Sequence, residues 1–302
     1  MIDIILPTYN NLGELKACLD GFSRQTLPDF RVLCCVDGST DGTIEYLEEE
    51  RFPFTLKIIT HPDGKRHGRN LTRNLALDHL ESNFLVMLDS DLIPAPDMIQ
   101  NHVALLREKE GVSLGNVFFQ NTRENVLADY IQSRARTKFR AGDALPAKFF
   151  NTQNVAMKTR IFVQSGGQNV WMTAYGGDDI EFGIRLEKTF GLPVYYNPAA
   201  LATGEVNKSL DLALEQMEEL GAINLKALRE KHPEYDDIFQ VRRLESNCIL
   251  DRLIRSLLQP WIASWVRASI EKAPKLLRRK MIQYLMFYHL ALGYLDKKGE
   301  RS

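Results

Sequence analysis

Phe84-Leu85-Val86-Met87-Leu88-Asp89-Ser90-Asp91 is a run of five apolar residues that ends in two acids separated by one small residue. The apolar run has no alternation, which marks a strand covered on both faces and therefore a parallel sheet in an α/β domain. Ligands of such sheets sit at the carboxyl ends of the strands. Asp89 and Asp91 fall there, as hard oxygen donors for a divalent cation that bridges protein and phosphate. Pro94 and Pro96 are expected to keep the chain beyond them irregular. Two solvated aspartates in a turn are the plain alternative for the pair taken alone.

Upstream, strand-like runs at Ile2 to Leu6, Arg31 to Val36 and Leu56 to Thr60 alternate with helix-like stretches at Leu12 to Gln25, Thr43 to Glu49 and Arg69 to His79. This βαβαβαβ rhythm predicts a doubly wound sheet. Downstream, a helix over Asp97 to Glu108 leads to an apolar strand over Val112 to Phe119. Helices are also expected over Asp178 to Phe190 and Leu210 to Lys231. In the less regular stretch after that strand (Gln120 to Lys148), Arg134, Arg136, Lys138 and Arg140 alternate along the chain, either facing substrate phosphates or forming a solvated charged face.

The net charge of −1 hides an asymmetry, with 13 Lys+Arg against 5 Asp+Glu in residues 242–302 and 25 against 34 in the remainder. In the tail, Arg252, Arg255, Arg267, Lys275, Arg278, Arg279 and Lys280 interleave with Leu, Ile, Trp261, Trp265 and Tyr284. Amphipathic basic helices are expected there, ended or kinked at Pro260 and Pro274. Two roles stay open for them: docking on an anionic membrane surface, or packing on protein. Nucleic acid is not an expected partner, because no binding motif accompanies the charge. The longest charge-free apolar run, Met281 to Leu295, has 15 residues, short of the roughly 20 that span a bilayer. Four cysteines without metal-ligand spacing and a strand starting near the first residue fit a cytoplasmic protein with no signal peptide, peripheral at most on the cytoplasmic membrane face.

Two polar loops follow the first two strands: Pro7-Thr8-Tyr9-Asn10-Asn11 and Asp37-Gly38-Ser39-Thr40-Asp41-Gly42-Thr43. In a parallel sheet both lie on the ligand edge, where small residues let backbone amides approach a nucleotide and an aspartate can accept from a base or ribose. Asp37, Ser39, Asp41, Gly42 and Glu48 also fit an EF-hand calcium loop, but the β-rich Arg31 to Val36 stands where an EF-hand needs a helix. A fourth motif is Tyr175-Gly176-Gly177-Asp178-Asp179-Ile180-Glu181, with Gly166-Gly167 and Trp171 before it and Arg185 after. Its acids can cap a helix, its glycines allow close approach, and Trp171 and Tyr175 offer flat apolar faces for a sugar ring.

In this order, Pro-Thr-Tyr-Asn, Asp-Gly-Ser-x-Asp-Gly-Thr, Arg73-Asn74 and Asp89-Ser90-Asp91 resemble the signatures of family 2 glycosyltransferases of the GT-A fold, over about residues 1–205. The fourth motif is similar to the acceptor segment of β-1,4-galactosyltransferases and bacterial chondroitin-type polymerases. The resemblance implies an α/β, Rossmann-like, mostly parallel sheet flanked by helices, with an α-helical C-terminal extension. It implies a catalytic domain over 1–240, with a nucleotide-sugar half to about 120 and an acceptor half beyond, and a tail over 241–302. Pro7, Thr8, Tyr9, Asp37, Arg73, Asp89 and Ser90 would bind a nucleotide-sugar donor, a UDP-hexose or UDP-N-acetylhexosamine. Asp89 and Asp91 would hold Mn²⁺ or Mg²⁺. Asp179 would be the general base of an inverting transfer, and Trp171, Tyr175, Gly177, Asp178 and Glu181 would bind a glycan or lipid-linked acceptor. Many relatives supply a metal-ligating histidine after a Tyr-x-x-Pro stretch. Here residues 197–205 contain none, and Glu205 or water would take that place. A pyrophosphorylase-like enzyme lacks its glycine-rich phosphate loop here, and a calcium- or carbohydrate-binding module has no use for a base at Asp179.

Overall fold

The computed structural model describes residues 1–134, 139–172 and 174–296, so Arg136 and Lys138 of the alternating basic stretch lie outside the described residues. The chain divides into two compact units interleaved along the sequence. One comprises Met1–Gln120, Arg136–Val170 and Phe182–Glu205; the other comprises Asn121–Ala135, Trp171–Glu181 and Val206–Ser302.

The first unit holds one sheet: β1 (Ile2–Thr8), β2 (Arg31–Val36), β3 (Thr55–Thr60), β4 (Phe84–Leu88), β5 (Leu92–Pro94), β6 (Val112–Phe119), β7 (Ala144–Leu145), β8 (Asn154–Lys158) and β9 (Val194–Gly204). The strand order is β3-β2-β1-β4-β8-β6-β9-β5, with β7 on β9. β1 to β4, β6 and β9 run one way, and the short β5, β7 and β8 oppose them. Helices Leu12–Ser23, Thr43–Glu49 and Arg69–Asn74 make the early crossovers. This is the mostly parallel α/β fold expected from the sequence. β2 is buried at every position and β4 from Leu85 onward, which is why neither run alternates. β3, at the sheet edge, exposes Thr55, Lys57 and Thr60. Pro7 in β1 lies beyond the pairing with β4, which stops at Ile5 opposite Met87, so its missing N–H interrupts no bond on that side.

The sequence pattern did not reveal β5, β7, β8 and β9. Leu92–Pro94 is not irregular but a short edge strand antiparallel to β9, a place where a proline removes a donor that no neighbour needs. β9 contains Asn197-Pro198-Ala199-Ala200, which reads as a loop. The register against β6 jumps from Asn197 opposite Gly115 to Leu201 opposite Asn116, so Pro198 falls in a bulge that makes no ladder bond. Gly115 leaves room there, since a Cβ on it would collide with the Asn154 side chain and the Ala200 carbonyl.

Behind this bulge lies a buried polar network. His102, fully buried, pairs through Nδ1 with Ser113 Oγ at 2.8 Å and through Nε2 with Asn154 Oδ1 at 2.9 Å. Asn154 Nδ2 donates to the carbonyls of Ala200 (2.8 Å) and Asn116 (3.1 Å), and Asn197 Nδ2 donates to Ser113 Oγ (3.0 Å). Burial lowers the His102 pKa from 6.5 to about 4, against the Asn154 contact, which raises it. The unfolded chain takes up this proton as pH falls below 6.5 while the folded chain refuses it until about 4. Stability present above pH 6.5 is therefore lost across that window, at about 1.4 kcal/mol per pH unit. Urea unfolding at pH 7 and pH 5 should show this loss, and His102→Gln should flatten it. Equal slopes in the two proteins would contradict the assignment.

The second unit is helical. Leu210–Glu219 runs through a π turn, Leu220–Asn224, into Leu225–Lys231. Pro260 opens the helix Pro260–Ser269 and Pro274 caps Lys275–Leu295, so both prolines mark helix starts. The last helix buries Met281, Ile282, Leu285 and Tyr288 and crosses the Leu210–Asn224 segment at two glycines. A Cβ on Gly221 would strike the Leu290 carbonyl, and one on Gly293 would strike that of Glu218. Arg279 grips Asp129 with Nε at 2.9 Å and Nη2 at 2.7 Å, and Lys275 joins at 3.0 Å. Part of the tail's basic charge is thereby spent within the unit. Among the described residues no helix is long and apolar enough to cross a membrane.

Candidate active site

Because β1, β2 and β4 are parallel neighbours, the residues after Thr8, Val36 and Leu88 share one edge of the sheet. Short polar bonds tie the loops together there. Thr8 Oγ1 donates to Asn11 Oδ1 (2.5 Å), and Asn11 Nδ2 donates to Ser90 Oγ (2.8 Å). Asn10, in the left-handed region at φ 46°, donates its N–H to Ser39 Oγ (3.1 Å) and accepts from Thr40 N through Oδ1 (2.8 Å). Asp41 accepts from Leu12 N (2.9 Å) and Thr43 Oγ1 (2.6 Å). The Asp37–Glu48 stretch is thus a strand-to-helix loop knitted to its neighbour, without the two helices of an EF-hand.

Asp37 is buried, and its carboxylate accepts from His67 N (2.7 Å) and Gly68 N (3.0 Å). This folds the basic loop Lys65-Arg66-His67-Gly68-Arg69 over the edge, leaving Lys65, Arg66, His67 and Arg69 exposed. Gly38, at φ 69°, makes the approach feasible, since a Cβ would lie 2.7 Å from the Lys65 carbonyl carbon. Arg66 lies 4.5 Å over the Tyr9 ring. His61, which the sequence pattern did not single out, is buried beneath the loop, 3.3 Å from Asp37 and 3.0 Å from Thr72 Oγ1. Desolvation first, and then His67, lower its pKa.

Arg73, only 2% exposed, donates through Nη2 to Asp89 Oδ1 at 2.6 Å and through Nη1 to Gln168 Oε1 at 3.3 Å. Arg73 and Asp89, sixteen residues apart in the chain, are therefore a spatial pair. Gln168 is a further residue that no sequence motif marked: its N–H donates to Oδ1 of Asn74, the second residue of the Arg73-Asn74 motif, and Asn74 Nδ2 donates to Gln168 O, both at 2.8 Å. Gly167 packs against Asn74 at φ 75°, and Arg185 holds its carbonyl at 2.8 Å. Gly166-Gly167 and Arg185 thus support Arg73 rather than the Gly176-Gly177 turn.

Asp91 is open at the surface, yet its carboxyl is pushed up to about 6, by desolvation first and by the Asp89 carboxylate second. Two crowded carboxylates of this kind suit a hard cation, which relieves their repulsion. Glu205 follows Gly204, which lies opposite Leu92, so it falls near Asp91 in register and is exposed. Among the described residues no group of three or more His, Cys, Asp or Glu gathers as a metal cage. The donor set fits a cation held by one or two carboxylates and completed by substrate phosphates and water.

In the second unit, the turn Gly176-Gly177 (φ 96° and 85°) leads into the helix Asp178–Phe190. Residues remote in sequence hold its carbonyls. Asn224, from the π turn, donates to Ala174 O (2.9 Å) and Gly176 O (3.0 Å), and Tyr235 Oη donates to Gly177 O (2.6 Å). Burial, and then the Glu181, Asp178 and Asp179 carboxylates, raise the Tyr235 pKa, so its hydroxyl stays a donor. Glu181 is buried, 3.4 Å from His232 Nε2. Asp178 is buried and Asp179 half-buried, both in the first turn of the helix. Lys231 lies 4.1 Å over the Trp171 ring and Lys208 lies 4.3 Å over that of Tyr175, so each aromatic already has a cation on one face.

The α/β sheet with this edge chemistry places the chain in the GT-A class of fold. A family model described as "Glycosyl transferase family 2" matches residues 3–167, and the chain belongs to that family. It is 26% identical over 223 residues to a chondroitin synthase of Escherichia coli, an alignment that takes in 61% of this chain and 32% of the relative. The chain thus spans about a third of that relative's length. Among solved structures it is similar in fold to the mannosyltransferase PcManGT from Pyrobaculum calidifontis in complex with GDP-Man and Mn²⁺ (TM-score 0.64, 18% identity, 98% of this chain and 87% of that one). It is also similar to S. aureus TarS 1-349 in complex with UDP-GlcNAc (TM-score 0.57, 15% identity, 97% and 89%).

Proposed function

We propose that the protein is an inverting glycosyltransferase that moves a sugar from a nucleotide diphosphate sugar, a UDP-hexose or UDP-N-acetylhexosamine, to a hydroxyl of a glycan or lipid-linked acceptor. The observation that carries this is the Arg73–Asp89 pair beside Asp91, at the end of the same strand edge as Asp37. Two neighbours of similar fold are in complex with nucleotide sugars, one with GDP-Man and Mn²⁺ and the other with UDP-GlcNAc. In this reading the Thr8 to Asn11 loop and Asp37 receive the nucleoside, and Arg73 orients Asp89. A Mn²⁺ or Mg²⁺ ion at Asp89 and Asp91, with Glu205 as a further ligand, would stabilise the charge that develops on the departing diphosphate. Asp179 takes the proton of the attacking hydroxyl, and Asp178, Glu181, Gly177, Trp171 and Tyr175 receive the acceptor. Below pH about 6 a cation entering this site displaces a proton from Asp91.

The test is a panel of nucleotide sugars, with and without Mn²⁺, with product configuration read by NMR. Consumption of a UDP-sugar with inversion is expected. A retained configuration would remove the single-displacement mechanism, and inertness toward every nucleotide sugar would remove the function.

A further inference from the structure

The last residues of the chain divide into two faces with different fates. Lys275–Leu295 buries its apolar stripe within the second unit. By contrast, the helix Ile249–Ser256 has no buried residue at all. Leu250 (61% exposed), Leu253 (59%), Leu257 (57%), Trp261 (72%) and Trp265 (67%) follow one another at steps of three or four residues, and Leu276 (76%) stands exposed after Pro274. Steps of that size keep side chains on one side of each helix. Two tryptophans left this open are expensive in water, and an indole suits the boundary between headgroups and acyl chains, where its ring is buried and its N–H stays wet.

The charge around this row selects the occupant. Arg267, Arg279 and Lys275 are paired with Asp211 and Asp129 and stiffen the unit. Arg252, Lys272 and Lys280 are exposed, and over residues 249–280 eight Lys+Arg stand against only two acids, Asp251 and Glu271, so the charge around the apolar row is strongly positive on balance. A second copy of the chain would set like charges against each other, whereas an anionic lipid surface meets both the charge and the apolar row.

We infer that residues 249–276 form a docking surface for an anionic bilayer, with Trp261 and Trp265 as interfacial anchors. Insertion is shallow and reversible, and it does not depend on the sugar-transfer reading. Vesicle flotation of the full chain tests it without any activity assay. Vesicles containing phosphatidylglycerol should carry the protein up and pure phosphatidylcholine vesicles should not, and added salt should weaken the binding. Trp261→Ala/Trp265→Ala should lower the partition coefficient at least about tenfold. Arg252→Glu/Lys280→Glu should do so on the anionic vesicles alone. Because all four side chains are exposed, the variants should keep the thermal unfolding midpoint of the parent, so a loss of binding is not a loss of fold. Absence of flotation, or equal flotation of parent and double-tryptophan variant, would overturn the inference. So would a dimer in sedimentation velocity that the tryptophan substitutions dissolve, since the face would then belong to a second copy.

Discussion

Asp179→Asn should lower kcat for sugar transfer by about 10²–10⁴-fold, the contribution of a positioned general base, while the donor Kd stays unchanged. The amide keeps the size of the side chain and a carbonyl oxygen that can still accept at a helix start, so what is removed is basicity. Asp178 and Asp179 share the first turn of the helix Asp178–Phe190, and the positive end of a helix favours both charges. That end, and the Gly176-Gly177 turn clamped by Asn224 and Tyr235, hold the carboxylate in one place. If the two acids served only as helix caps, asparagine would replace either at a cost below about 1 kcal/mol in stability and none in turnover. Single-turnover rates on wild type, Asp179→Asn and Asp178→Asn, with donor binding by calorimetry, separate the two. An Asp179→Asn enzyme with undiminished kcat would end the base assignment.

Removing the Asp3 carboxylate should have the largest effect on stability. Asp3 is fully buried in β1 and accepts from Arg31 Nε (2.6 Å), Glu81 N (2.8 Å), Ser82 N (2.9 Å) and Ser82 Oγ (3.0 Å). It thus joins β1 to β2 and to the turn that feeds β4. Asp3→Ala leaves Arg31 only Glu81 (2.8 Å) and the His79 carbonyl (2.6 Å), and strips the acceptor from its buried Nε and from two amides, which costs about 3–5 kcal/mol. Asp3→Ala/Arg31→Met should recover part of that loss, because it also removes the buried Nε that Asp3 no longer satisfies. Urea unfolding reads both, and a single-variant loss below about 1 kcal/mol would refute the account. Burial alone would raise the Asp3 pKa, but Arg31 and the Ser82 and Glu81 amides outweigh it and hold the carboxyl below its ordinary 3.8. Its contribution is therefore present above that ordinary pKa and is lost as pH falls through the lower, folded value.

The residues proposed for the donor side were legible because each stands in a short segment that ends a strand or forms a crossover helix. β4 and its acids, the loop at Asp37 and the helix holding Arg73 carry their periodicity and turn chemistry within a few residues. Gln168, His61, Asn224, Tyr235 and His232 were not legible. Each acts on a partner far along the chain: Asn224 on a carbonyl 48 residues away and Tyr235 on one 58 away. Nothing in their own neighbourhood marks them. β8 and β9 were hidden for a related reason. Asn154 is a strand residue because it pairs with Leu88, and Pro198 is tolerated because three residues bulge opposite Gly115.

The sequence by itself determined the parallel half of the sheet, the polar loops at its strand ends and the breaks in the tail at Pro260 and Pro274, because hydrophobic period and turn stereochemistry are local properties; that both prolines begin helices was not read from it. Tertiary structure decided the rest. It set Arg73 against Asp89, turned Asp37 toward the loop amides and divided the basic tail between a buried helix and an open apolar row. Pairing and burial depend on which distant residues arrive at the same place, and no local pattern encodes that.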